Sequence, residues 1–376
     1  MVLRPFHATF PRLQRTKSVE EFIETVKEKY VEYRSRKVFR RAEEEAMYVY
    51  EIESNGLSQV GLIAAVSIQD YLEERVKRHE HTLVDKEVKQ ADLLKERNAV
   101  VKPVLLAHRH HQALADLLSG YVQKKVPGWE LNLSHLSEIH RFWPITERED
   151  IEHIQYYFGR YIQTTYIADG HHRFSATARL YQQLAETDQH NTYEYLMCAL
   201  FPSTSLHIHN FNRVIKAVGD DRSALSFMAE LSQYANLRPL KEEAAPKHAH
   251  ELTFFLKGEW FAMKWREETL NHNAKAGLPT LDVSMFNYYV LRKILGFMDI
   301  RNDKRIKYIE GPRGLQALAD ATDGKPAVSF CLYPLSWESF FQVIDHGLIL
   351  PPKSTWFEPR MKNGLIVQSF GKGVGS

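Results

Sequence analysis

TYIADGHHRF, residues 165–174, passes from apolar to polar and back within ten positions. The run Thr165–Ala168 predicts a short strand, and the spacing of Phe174, Thr177, Ala178, Tyr181 and Leu184 predicts a helix that starts near Phe174. Between them stand Asp169, Gly170, His171, His172 and Arg173. A strand that turns through a glycine into a helix suits an anion, because the helix start carries unpaired backbone N–H groups and about half a positive charge. Gly170 allows the tight turn. Arg173 can grip phosphate oxygens with two parallel hydrogen bonds, and His171 and His172 can donate hydrogen bonds or take protons near neutral pH. On the residues alone Asp169 keeps several readings: it holds Mg²⁺, it orients a histidine, or it caps the helix in an ordinary turn.

Upstream, Lys77-Arg78-His79-Glu80-His81-Thr82 opens a charged helix expected over 82–98, with Val84, Val88, Ala91 and Leu94 at helical spacing. Glu80, beside two histidines and two cations, is a candidate general base, a partly buried carboxylate that can be tuned toward neutral pKa. The plainer reading is a carboxylate placed to favour the helix dipole. His79, His81, His171, His172 and Asp169 also permit a divalent-metal site, although HEHT lacks the second histidine of a HExxH zinc motif. A Mg²⁺ that arrives with a nucleotide fits the residue types better than a tight zinc site.

The remaining pattern is mixed. Val19–Arg41 has Phe22, Val26, Tyr30 and Tyr33 at helical spacing. Met47–Glu51 and Val60–Ile68, joined by Ser54-Asn55-Gly56, predict a hairpin. Pro103–Ala107 predicts a buried strand, followed by helices over 112–125 and 148–161. From about 216, helices and strands alternate, with helices near 223–235, 283–296 and 336–346 and strands near 251–264 and 327–333. The tail FGKGVGS is expected to be disordered. The expected fold class is α+β. An N-terminal helix-and-hairpin region covers 1–60, a core covers 61–215, and an α/β region covers 216–376.

Composition narrows the function classes. With 376 residues, 44% hydrophobic and 26% charged, the chain can bury sizeable cores without staples. A formal net charge of +2 and the lack of a long basic block argue against a nucleic-acid partner. The two cysteines, Cys198 and Cys331, each lie in an apolar run and read as small buried hydrophobes. No run reaches the roughly 20 apolar residues that span a bilayer. A cytoplasmic protein with a small-molecule substrate is expected.

Farther along, Arg213 follows Asn212 and can reach a substrate carboxylate or form an ordinary surface salt bridge. Lys353, Ser354 and Thr355 follow two prolines, with Arg360 and Lys362 close behind, and are candidates to bind an anion from the C-terminal side. His108, His110 and His111 are expected at the surface.

YIADGHHRF resembles the signature of a bacterial family known as domain-of-unknown-function family 1015. The likeness extends through RPF at 4–6, GLIAAVSIQDY at 61–71, KRHEHT at 77–82, KPVLL at 102–106, FNRV at 211–214 and PPKST at 351–355. The core also resembles the ParB/sulfiredoxin superfamily, whose free-serine kinase branch carries DGHHR and an earlier glutamate proposed as the base. The matching order here is His79-Glu80, the helix 82–98, Pro103-Val104-Leu105, then Ile167 to Arg173. The departure is a gap of about 60 residues before YIADG, so residues 108–162 read as an insertion.

The resemblance implies phosphoryl transfer involving serine or phosphoserine, with ATP or ADP and Mg²⁺. It assigns catalysis to Glu80, His79 and His172, and phosphate or nucleotide binding to Asp169, Gly170, His171, His172 and Arg173. Asp169 would also place the metal. Arg78, Thr82, Asn212, Arg213, Lys353, Ser354 and Thr355 would meet the substrate. The rival readings are a nucleotide-binding regulatory or DNA-partitioning module and a metal-dependent hydrolase.

Overall fold

A computed structural model describes residues 1–185, 192–216, 224–274 and 277–370. Most of the tail expected to be disordered, and the first residue of the helix expected near 223, lie outside the described residues. The chain is α+β and divides into two compact units, one of residues 1–207 with 359–376 and one of residues 208–358. The break expected at 60/61 falls inside a strand, and the one expected at 215/216 falls at the end of another.

The first unit is built on a nine-stranded sheet. Its strands are β1 (Leu3–Arg4), β2 (Met47–Ser54), β3 (Leu57–Ser67), β4 (Val76–Lys77), β5 (Val104–His108), β6 (Trp129–Leu133), β7 (Glu138–Ile145), β8 (Thr165–Asp169) and β9 (Tyr195–Pro202). They run in the order β4-β8-β5-β9-β3-β2-β7-β6, with β1 also on β3. The β2–β3 hairpin sits mid-sheet, and its turn has Asn55 and Gly56 both at positive φ, as a tight two-residue connection requires. The region expected to be an insertion adds the hairpin β6–β7, which pairs onto β2 and extends the sheet.

Helix α1 (Val19–Ser35) buries Phe22, Val26, Tyr30 and Tyr33, and its cap, Ser18, accepts a hydrogen bond from the Glu21 N–H. Helix α2 (Val84–Arg97) packs on α3 (His171–Ala185). Thr82 and Ser175 both donate to the same Glu87 carboxylate, which ties the two helices together near their starts. His108 is a correction: it ends β5, is buried against the Phe158 ring, and its Nδ1 donates to the Arg109 carbonyl at 2.8 Å.

The second unit is a six-stranded sheet in which every pairing is antiparallel. Its strand β10 (Phe211–Ile215) is buried along its whole length. The helix expected near 283 begins at Asp282 and continues from Phe286 to Ile294 with π-type hydrogen bonding. Cys198 and Cys331 are buried and unpaired. No helix among the described residues is long and apolar enough to cross a membrane.

Candidate functional site

The site of the first unit follows from strand pairing. β4 lies parallel to β8, with Val76 opposite Thr165 and Lys77 opposite Tyr166. The chain leaving β4 therefore runs beside the C-terminal end of β8, which brings His79 and Glu80 to the start of α3. β5 lies antiparallel on the other side of β8, so Lys102, two residues before β5 begins, lies beside the end of β8. A bulge between Ile167 and Asp169 changes the register there, a device that re-aims a side chain at a strand end.

Gly170 then turns the chain with φ +104°, a conformation that favours glycine. A Cβ at this position would lie 2.5 Å from an Arg173 guanidinium nitrogen. The helix starts at His171, not near Phe174, so His171, His172 and Arg173 form its first turn. The Arg173 and Phe174 N–H groups both donate to the Gly170 carbonyl.

Asp169 is surrounded by cations. One oxygen accepts from Arg173 at 3.0 Å and lies 3.1 Å from the Lys102 ammonium; the other accepts from Arg360 at 2.7 Å. Burial pushes the Asp169 carboxyl up, but Arg173, Lys102 and Arg360 outweigh it and hold it well below the usual carboxylate range. Three cations against one carboxylate leave an excess of two positive charges at a helix start. Burial, helped by the neighbouring guanidinium groups, lowers the Lys102 ammonium to about 8 despite Asp169.

Beside this cluster, the His79 Nδ1–H donates to the Ile167 carbonyl at 2.7 Å. Burial lowers its pKa to about 3, which keeps the ring neutral. His171 Nδ1 lies 3.2 Å from Glu80, and the two imidazoles meet edge to face with centroids 4.4 Å apart. Partial burial pushes Glu80 up, but the His171 hydrogen bond and the surrounding imidazoles outweigh it and hold it at about 2. This corrects the expectation of a carboxylate tuned toward neutrality. Glu80 is ionised throughout the neutral range, and its side chain is 42% exposed. Buried His171 Nε2, His172 Nδ1 and Arg173 Nε have no hydrogen-bond partner among the described residues.

Two expected roles change. Mg²⁺ does not fit Asp169: both oxygens already face cations, which would repel a divalent ion. Among the described residues no group of three or more His, Cys, Asp or Glu side chains is placed to hold a metal, so the histidine-based metal reading finds no ligand set. Thr82 donates its hydroxyl proton to Glu87, and exposed Arg78 stacks over Tyr71 at 5.7 Å. An anionic nucleotide, by contrast, fits the cation cluster and the helix start.

The other expected substrate residues belong to the second unit. Asn212 is buried and accepts from Asn210 at 2.5 Å. Arg213, also fully buried, is no surface ion pair: it donates to the Phe211 and Lys353 carbonyls. The Ser354 hydroxyl donates to the Pro351 carbonyl at 2.5 Å, and the Lys353 ammonium lies 4.7 Å from the Phe211 ring centre. In the PPKST block, then, the Lys353 carbonyl meets the arginine and the Pro351 carbonyl holds Ser354. Thr355 is half-buried in the same turn.

Lys102 and Arg360 are functional candidates that reading the sequence did not single out. Arg360 returns to the first unit from 191 residues beyond Asp169. Its neighbour Lys362 pairs with Glu138 at 2.7 Å.

A family model described as "Protein of unknown function (DUF1015)" matches residues 6–284. The chain belongs to this family. The DUF1015 match takes in the whole DGHHR site except Arg360. No curated protein matches the chain. Among solved structures, a C-terminally truncated SbnI from Staphylococcus aureus is similar at a TM-score of 0.41 and 11% identity, over 80% of this chain and 85% of that one. A mutant free serine kinase in complex with ADP is similar at 0.37 and 14%, over 80% and 91%. A conserved hypothetical protein from Pyrococcus furiosus is similar at 0.36 and 15%, over 80% and 94%. Scores this low bear on neither the site nor the activity.

Proposed function

We propose that this DUF1015 protein catalyses phosphoryl transfer between a nucleotide and a small hydroxy amino acid, serine or phosphoserine. The observation that carries the reading is the cluster of Lys102, Arg173 and Arg360 around Asp169 at the start of α3, with its excess of positive charge. Such a cluster holds a phosphoryl group by position and charge, which is most of what this chemistry asks of a protein. The DGHHR motif shared with free-serine kinases supports the same choice.

In this reading the acceptor hydroxyl lies against Glu80. As its oxygen bonds to phosphorus, its proton passes to the Glu80 carboxylate, and the phosphorus–oxygen bond to the departing nucleotide breaks with its electron pair. Arg173, Arg360 and Lys102 offset the charge that gathers on the phosphoryl and leaving oxygens. His171, held by Glu80, and His79, held by the Ile167 carbonyl, fix the position of that carboxylate. The same parts serve the reverse direction. Its low pKa keeps Glu80 ionised at neutral pH but makes it a weak base, so it takes the proton only as the bond to phosphorus forms.

The test is incubation of the purified protein with serine and ATP, ADP or pyrophosphate, and separately with phosphoserine, followed by ³¹P NMR. Transfer or release that Glu80→Gln abolishes supports the reading. Nucleotide binding without turnover in any combination rejects the enzyme and leaves a nucleotide-binding module.

A further inference from the structure

A buried guanidinium normally faces a carboxylate, because an unpaired charge inside a protein is costly. Arg213 has none. It is 1% exposed, and among the described residues its partners are two backbone carbonyls and the faces of Phe286 and Tyr308, at 5.8 and 5.5 Å from the ring centres. Its Nε–H, buried, has no hydrogen-bond partner. Burial lowers its pKa to about 10, which still leaves it charged at neutral pH.

Arg213 lines a cavity of about 80 Å³ that lies wholly within the second unit. The lining also includes Asn210, Asp282, Ser336, Ser339 and Ser354. Ser336 caps the nine-residue helix Trp337–Asp345 by accepting from the Ser339 N–H, so the cavity reaches a helix start. A helix start and an unpaired guanidinium on one small cavity select a carboxylate. The cavity is far smaller than the roughly 300–1,000 Å³ typical of larger ligands, which excludes a nucleotide.

The same lining carries one negative charge. Asp282, 8% exposed, accepts from the Trp265 indole N–H at 3.0 Å and the His250 backbone N–H at 2.9 Å. Both donors are neutral and leave its charge in place. The His250 ring nitrogen stands 3.7 Å from Asp282, too far for a hydrogen bond but within ion-pair reach, and Asp282 raises the pKa of that imidazole. A simple anion beside Arg213 would share a small cavity with this carboxylate. A ligand that carries its own ammonium group would not meet that repulsion.

We infer that this cavity binds a small α-amino acid as its zwitterion, with the carboxylate on Arg213 and the helix start at Ser336, and the ammonium group toward Asp282. The site does not rest on the phosphate reading, since it is probed without nucleotide and without turnover.

Calorimetric titration of the full chain with glycine, L-alanine and L-serine, and with acetate, methylamine and inorganic phosphate as controls, tests it. The expected result is saturable binding of at least one amino acid, at least tenfold tighter than acetate or methylamine, and weakened at least tenfold by Asp282→Asn and by Arg213→Lys. Because Arg213→Lys can fail to fold, the Arg213 Nε–H resonance of the unaltered protein is followed in parallel and shifts on titration. No amino-acid binding, binding that leaves this resonance unmoved, or inorganic phosphate that shifts it as far as any amino acid does overturns the inference.

Discussion

Asp169 and Arg213 are both ionised and both sheltered from water, yet their surroundings are opposite. Asp169 has three cations on two oxygens. Arg213 has two neutral carbonyls, two aromatic faces and an unused N–H. In the first unit the protein concentrates positive charge around a carboxylate that holds it in place. In the second it keeps one positive charge without an opposite partner. The over-supplied anion leaves positive potential in place for a ligand, whereas the under-supplied cation shares its cavity with Asp282, and the two differ in what removing the central residue does.

The largest expected effect is on turnover. Glu80→Gln keeps a hydrogen-bond acceptor for His171 but cannot take a proton, so phosphoryl transfer should fall by about 10²- to 10⁴-fold. Binding of ADP, measured by calorimetry, should stay within about threefold; equal losses in both would mean that Glu80 organises the site and is not the base. Next comes Asp169→Asn. It leaves Lys102, Arg173 and Arg360 without their carboxylate and should cost about 3 kcal/mol in urea unfolding. Inorganic phosphate should bind the variant more tightly and recover part of that loss. Arg213→Met removes a charge that no carboxylate balances, and should change stability by less than half as much. A larger loss at Arg213 than at Asp169 would break the contrast.

Gly170→Ala should cost about 1–3 kcal/mol in the same unfolding measurement, because alanine resists the positive φ and its Cβ meets Arg173. The smallest effect concerns pH. The folded pKa of Lys102, about 8, lies below its ordinary value. Phosphate affinity should therefore decline severalfold as pH rises through about 8 and the ammonium loses its proton. This group's effect on the stability of the unliganded protein runs the other way. From about 8 up to the ordinary lysine value the unfolded chain binds more protons, so stability rises with pH. A phosphate affinity that stays flat from pH 7 to 9 would remove Lys102 from the site.

Much of the site was legible because it is local. Strand, glycine and helix lie within a dozen residues, and Asn55-Gly56 marks the central hairpin just as directly. The helix start was placed three residues late because His171, His172 and Arg173 are polar and carry no apolar period. Lys102 and Arg360 were not legible as site residues. Only the antiparallel register of β5 on β8 brings Lys102 to Asp169, and only the return of the chain after the second unit brings Arg360. His108 was misplaced because it sits in a run of polar neighbours, while the strand it ends turns its ring toward Phe158. The direction of the Glu80 shift depends on the distance to His171, which no spacing in the sequence supplies.

The central claim is that Lys102, Arg173 and Arg360 form a phosphate cradle, and calorimetric titration with ADP in the presence of EDTA tests it most directly. The account predicts saturable binding without a divalent ion, weakened about tenfold or more by Arg173→Gln and by Arg360→Gln. No binding, or binding that both variants leave unchanged, would contradict it.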